Sequence, residues 1–238
     1  IWGGIISLLS FISGFNYFPL SWMWYDTAIS QNSFVIHQII QRFINSLLDF
    51  LLISATFMAA EGLTRKAFPN HIQLWKTWDK DTGSSLRILG NTIGGYFTAV
   101  IDILFILFFY LLTEKYLKWW NPASLSTNPN SIATTFPWFS AIADSLHAGF
   151  WEECLFRAIP IAGAIILGEK YNKRTLFLVI ALFLQAVIFG AGHANYAAQP
   201  AYARVIELIL PSLFFACLYI RFGLLTAIIA HFAVDAML

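Results

Sequence analysis

The sequence predicts an all-α membrane protein: a polytopic transmembrane helical bundle of about seven to eight membrane helices, counted at roughly 20 mainly apolar residues per crossing. Composition is the first reason. Of 238 residues, 58% are hydrophobic and only 11% charged, against roughly 25% charged in an average soluble domain. Mean hydropathy is +0.68. The second reason is the recurrence of apolar stretches of spanning length, at residues 1–20, 39–60, 91–112, 138–168, 175–194, 204–220 and 222–238. A water-soluble core could not enclose this much apolar surface, so the bilayer takes the part of solvent. A formal net charge of +1 gives no footing for nucleic acid, which is excluded as a partner.

Taken in order, residues 1–20 lack a basic leading region and a small-residue cleavage site, so they read as a span and not as a signal peptide. The sequence begins at Ile1 and stops three residues after Asp235, and is expected to be part of a longer protein. After the span at 39–60, residues 61–90 mix Arg65, Lys66, Lys76, Lys80 and Arg87 with Leu74, Trp75 and Trp78. Rings at the interface and cations toward water suit a segment lying at headgroup level. Residues 121–137, rich in proline and small polar residues, read as an exposed loop. The stretch 138–168 is too long for one straight crossing; Pro160 and Gly163 are where it is expected to kink or divide. Alternating the spans puts the 61–90 loop, Lys170–Lys173–Arg174 and Arg221 on one side, the cytoplasmic one by the positive-inside rule, with Lys115 and Lys118 opposite. Cys154 and Cys217 lie in apolar segments and read as small packing residues. The expected division is 1–137, membrane helices with the 61–90 loop, and 138–238, a helical core that carries the chemistry.

Ionisable groups at bilayer depth are costly and usually face a cavity or a partner. Three clusters of them follow one another in 138–238. Glu152 and Glu153 are adjacent, with Arg157 four residues beyond Glu153, so Glu153 and Arg157 share a helix face and are expected to pair. Glu152 points about 100° away and lacks that partner, which makes it the candidate general base. His193 follows Phe189 at the same spacing, with Gly190 and Gly192 allowing close helix approach. His231 and Asp235 repeat it again, so the carboxylate is expected to orient the imidazole. Each cluster alone also has a structural reading. Together, a carboxylate and two histidines from three helices supply the parts for activating one water against an amide carbonyl. With a divalent metal such as zinc, His193, His231 and Glu152 would leave an open fourth position; without one, Glu152 and His193 would polarise the water and His231 with a neighbour would stabilise the oxyanion. The residues leave both open, and His-Glu-x-x-His is absent.

Glu152–Glu153–x-x-x-Arg157, Phe189–x-x-x-His193 and His231–x-x-x-Asp235, in that order, resemble the three motifs of the CAAX-protease and bacteriocin-processing (CPBP, or Abi) family of intramembrane proteases. The resemblance covers roughly residues 138–238; residues 1–137 carry no recognisable family motif. It implies Glu152 as the catalytic carboxylate supported by Glu153 and Arg157, and His193 and His231 as further catalytic or metal-coordinating groups. Asp235 stands where the family often has Asn, as in many bacterial members; an ionised Asp cannot donate to an oxyanion. The function expected is an intramembrane endopeptidase, metallo- or glutamate-type, acting on a membrane-associated peptide or protein in the bacterial inner (cell) membrane. A proton-coupled transporter and a non-catalytic membrane scaffold or immunity protein are the rival readings.

Other polar residues in the spans take structural readings first. Arg204 and Glu207, three apart, are expected to pair near a membrane surface, and Asp102 has no local cation. His147, shortly before Glu152 and near Asp144, is a candidate to line the approach to the cavity, and Asp49 with Arg42 reads as interhelical packing.

Overall fold

The computed structural model describes residues 1–120 and 129–238. Among them the architecture is a bundle of α-helices without strands. In chain order these are α1 (Trp2–Asn16), α2 (Phe18–Ser21), α3 (Gln31–Ala67), α4 (Lys80–Gly83), α5 (Leu86–Leu112), α6 (Pro129–Ile132), α7 (Pro137–Glu152), α8 (Ile159–Lys170), α9 (Arg174–Gly192), α10 (Ala203–Phe222) and α11 (Leu224–Met237). The all-α membrane bundle expected from the sequence is the one observed. Four helices are long and apolar enough to cross a membrane, five if α1 and the bent segment after it form one span, and α11 is a shorter apolar helix. Isoleucine, leucine and phenylalanine side chains of α3, α5 and α9 stay exposed along these spans, as a lipid-facing surface requires.

The boundaries differ from hydropathy alone. The span expected at 39–60 is part of the 37-residue α3, about 55 Å long at 1.5 Å per residue. Ser30 starts it by accepting from the Ser33 backbone N–H. Ser85 starts α5 in the same way through Ile88. Between them, Trp75 and Trp78 are exposed while Leu74 is buried, and Leu74 carbonyl accepts from Trp2 Nε1 at 3.0 Å. Of the loop expected at 121–137, residues 121–128 lie outside the described residues; the rest holds α6 and ends on Pro137, the first residue of α7.

The long fourth stretch is interrupted in the turn that precedes Pro160. Between α7 and α8 lies a π-helical turn, Glu153–Ala158. Pro160 follows two residues after this turn, and its missing N–H removes a hydrogen bond to the turn before it. The break is therefore a widened turn, a feature frequent at functional sites, and it holds Glu153, Cys154 and Arg157 in the interior.

α11 packs on α5 and α7, α9 on α8 and α10, and α1 on α3 and α7. At the α7–α11 crossing a Cβ on Gly149 would lie 2.8 Å from the Phe232 backbone nitrogen and 3.2 Å from the Ile228 carbonyl oxygen. Neither neighbour is a flexible side-chain tip. Gly149→Leu is expected to push the two helices apart at a cost of about 1–3 kcal/mol, read as a lower Tm of the detergent-solubilised protein; an unchanged Tm would show that the crossing is not this tight.

Candidate active site

The three sequence clusters meet. Glu152 ends α7, Glu153 and Arg157 lie on the π turn, His193 follows the last residue of α9, and His231 and Asp235 lie on α11. Glu152, Arg157, His193, His231 and Asp235 line one cavity of about 300 Å3. Glu152 Oε2 lies 4.0 Å from His193 Nε2 and 3.8 Å from His231 Nε2. Both separations exceed a direct hydrogen bond, and Glu152 Oε2 is buried with no hydrogen-bond partner among the described residues.

The rings are held from behind. His193 Nδ1 lies 2.8 Å from the Phe189 carbonyl oxygen; a carbonyl only accepts, so Nδ1 carries a proton and Nε2 is the atom offered to Glu152. The Phe189 ring packs at 4.6 Å from the His193 ring and 6.2 Å from that of His231. His231 Nδ1 donates to Glu153 Oε1 at 2.8 Å, while its Nε2 lies 3.5 Å from Asp235 Oδ2. The carboxylate that hydrogen-bonds the His231 ring is therefore Glu153, and not Asp235 as the four-residue spacing suggested. Spacing within one helix cannot see a carboxylate arriving from the π turn of another.

Glu153 also meets Arg157, as expected, with Oε2 at 3.5 Å from Arg157 Nε. Both are fully buried, at 0% and 1% exposure. Arg157 lies 4.1 Å over the Phe189 ring and 5.9 Å over that of Phe215, so its cation rests against aromatic faces. Gly190 permits the close approach expected of it, since a Cβ there would lie 2.9 Å from the Val205 carbonyl oxygen; Gly192 meets nothing within 4 Å.

Two further charged residues line the cavity. Asp102 on α5, left unassigned by the sequence, lines it and is nearly buried. Arg204 lines it too. Its expected pairing with Glu207 is present at 2.6 Å; Glu207 is wholly buried, and Tyr110 Oη donates to its Oε2 at 2.7 Å. Nothing local in the sequence points to Tyr110. His147 does not line the cavity: its Nε2 lies 2.8 Å from Asp49 Oδ1 on α3. Asp49 and Arg42 do serve interhelical packing, though with different partners, since Arg42 donates to the Gly14 carbonyl and to Ser21 Oγ. Asp144 accepts from Ser13 Oγ at 2.8 Å. Cys154 and Cys217 are free thiols.

A metal at this site was one expectation. Among the described residues no group of three or more His, Cys, Asp or Glu side chains is placed to hold a metal ion, so His193, His231 and Glu152 as arranged do not fit one.

A helical bundle of apolar spans closing on a buried carboxylate and two imidazoles defines an integral membrane protein with a polar site inside it. The motifs that make this site fall within residues 134–237, which match the family model described as type II CAAX prenyl endopeptidase Rce1-like. That match supports the resemblance of this stretch to the CAAX-protease and bacteriocin-processing family of intramembrane proteases. No curated protein and no solved structure matches the chain.

Proposed function

We propose that this chain is an intramembrane endopeptidase in which Glu152 activates the hydrolytic water. One observation carries the reading. Glu152 Oε2 faces His193 Nε2 and His231 Nε2 at 4.0 and 3.8 Å, too far for direct hydrogen bonds and within reach of a shared water. Glu152 takes one proton from that water as its oxygen bonds to the scissile carbonyl carbon. The same proton then passes to the amide nitrogen as the C–N bond breaks, leaving a carboxylic acid and an amine and restoring Glu152. His193, its Nδ1–H tied to Phe189, keeps Nε2 on the water. The imidazolium form of His231, balanced by Glu153, donates Nε2–H to the developing oxyanion. Asp235, 3.5 Å from that nitrogen, belongs to the ring's charge balance and is not itself the oxyanion donor. Phe189 and Phe215 keep bulk water from the rings.

In this reading 138–238 is the catalytic core and 1–137 supports it, with α5 lending Asp102 and Ile106 to the cavity. The substrate is a membrane-associated peptide or protein of the CAAX kind, in keeping with the family match. His193→Ala is expected to lower cleavage of such a peptide in proteoliposomes by about 100-fold or more with the melting transition retained. Cleavage at the parent rate would remove His193 from the reaction.

A further inference from the structure

Two arginines line the cavity, and they are used differently. Arg157 lies 3.5 Å from Glu153, with Nε and Nη1 lacking a hydrogen-bond partner among the described residues, but it is only 1% exposed and covered by aromatic rings. Arg204, in the first turn of α10, has no part in the water-activating cluster. Its Nη1 donates to Glu207 Oε1 at 2.7 Å and Oε2 at 2.6 Å. Glu207 is at the same time satisfied by the Tyr110 hydroxyl. Arg204 Nε is buried without a hydrogen-bond partner among the described residues, yet the side chain keeps 19% of its surface exposed. A guanidinium offers five N–H donors in a fixed fork, so one nitrogen spent on Glu207 leaves capacity for a second anion.

The fork is also fixed in direction. Arg204 lies 5.1 Å over the Tyr196 ring, and Tyr196 stacks on His193 at 5.8 Å. The segment carrying Tyr196 is anchored to the end of the α5 region, where Trp120 and Gln199 exchange two backbone hydrogen bonds of 2.8 Å. The Glu207-paired guanidinium is thus held beside one of the two imidazoles that face Glu152.

Charged side chains are costly in a membrane-embedded chain, but every chain end carries a carboxylate, and a cavity of about 300 Å3 admits a short chain end more readily than a folded segment. CAAX motifs, named in the matching family, are C-terminal tetrapeptides. We propose that Arg204 receives the C-terminal carboxylate of the substrate, making it a specificity residue that measures the distance from the chain end to the scissile bond. This rests on the cavity being the peptidase site; the carboxylate recognition itself is a separate property.

The test is binding, so that it does not depend on turnover. A fluorescent, S-prenylated peptide of Cys-aliphatic-aliphatic-X form is prepared with a free C-terminal carboxylate and as its amide. Both are titrated against Glu152→Gln protein in nanodiscs. The free acid is expected to bind about tenfold more tightly than the amide, the size of one charge-assisted hydrogen bond. Because Arg204→Gln alone would strand buried Glu207, the comparison adds Arg204→Gln with Glu207→Gln in the same background. There the acid and the amide are expected to bind alike, with the amide affinity showing that the variant is folded. Equal affinities in the parent background, or a preference that survives the double replacement, would overturn the assignment. Cleavage of either peptide by the Glu152→Gln protein would count against the role given to Glu152 and leave the carboxylate comparison standing.

Discussion

Glu152→Gln is expected to abolish peptide-bond hydrolysis while the protein still folds. The replacement keeps the shape and one oxygen of the side chain and removes only its ability to take up and return a proton. General-base catalysis contributes roughly 10²–10⁴-fold, so cleavage of an internally quenched peptide in proteoliposomes should fall by at least about 100-fold. The side chain is 17% exposed and makes no hydrogen bond through Oε2 that packing depends on, so the melting temperature should move by no more than a few degrees. Full activity in the purified variant would sink the assignment of Glu152.

Its neighbour should answer differently. Glu153 is 0% exposed and touches two groups at once, Arg157 through Oε2 and His231 through Oε1. Glu153→Ala would strand an arginine that is only 1% exposed. Breaking one partner of a buried pair costs about 3–5 kcal/mol, whereas replacing both by apolar side chains is often neutral. The single variant should therefore unfold well below the parent, and Glu153→Leu with Arg157→Met should recover most of the loss without recovering cleavage. Chemical unfolding in detergent checks both halves. A single variant as stable as the parent, or a double variant no better than the single, would show that the pair is not what holds this turn. Two adjacent carboxylates would then have no distinguishable duties.

Much of the site was legible because each cluster repeats a four-residue spacing. That spacing shows which side chains share a face of one helix, and cost at bilayer depth says such faces meet something polar. His193 and His231 stand out on that ground and Glu152 by lacking such a partner, and the three line one cavity. What periodicity cannot say is which helices adjoin. The Glu153–His231 contact, the Tyr110–Glu207–Arg204 chain and the place of Asp102 all arise between elements far apart in sequence. The Asp49–His147 contact is of the same kind, and it drew His147 away from the cavity mouth. The membrane spans were readable from hydropathy, but their ends were not, because Ser30 and Ser85 cap helices in sequence that is not especially apolar.

The π turn at Glu153–Ala158 makes the chain sensitive to length as well as to identity. A wider turn packs more residues into one circuit than an α-turn does, so the helix slips phase there, and that slip sets the azimuth of everything before it against everything after it. Shortening the turn by one residue would bring the two halves back into step and swing Glu152 away from its imidazoles, although every motif letter remained in place. Descendants of this sequence should consequently tolerate an indel within the turn even less than an exchange at its buried positions.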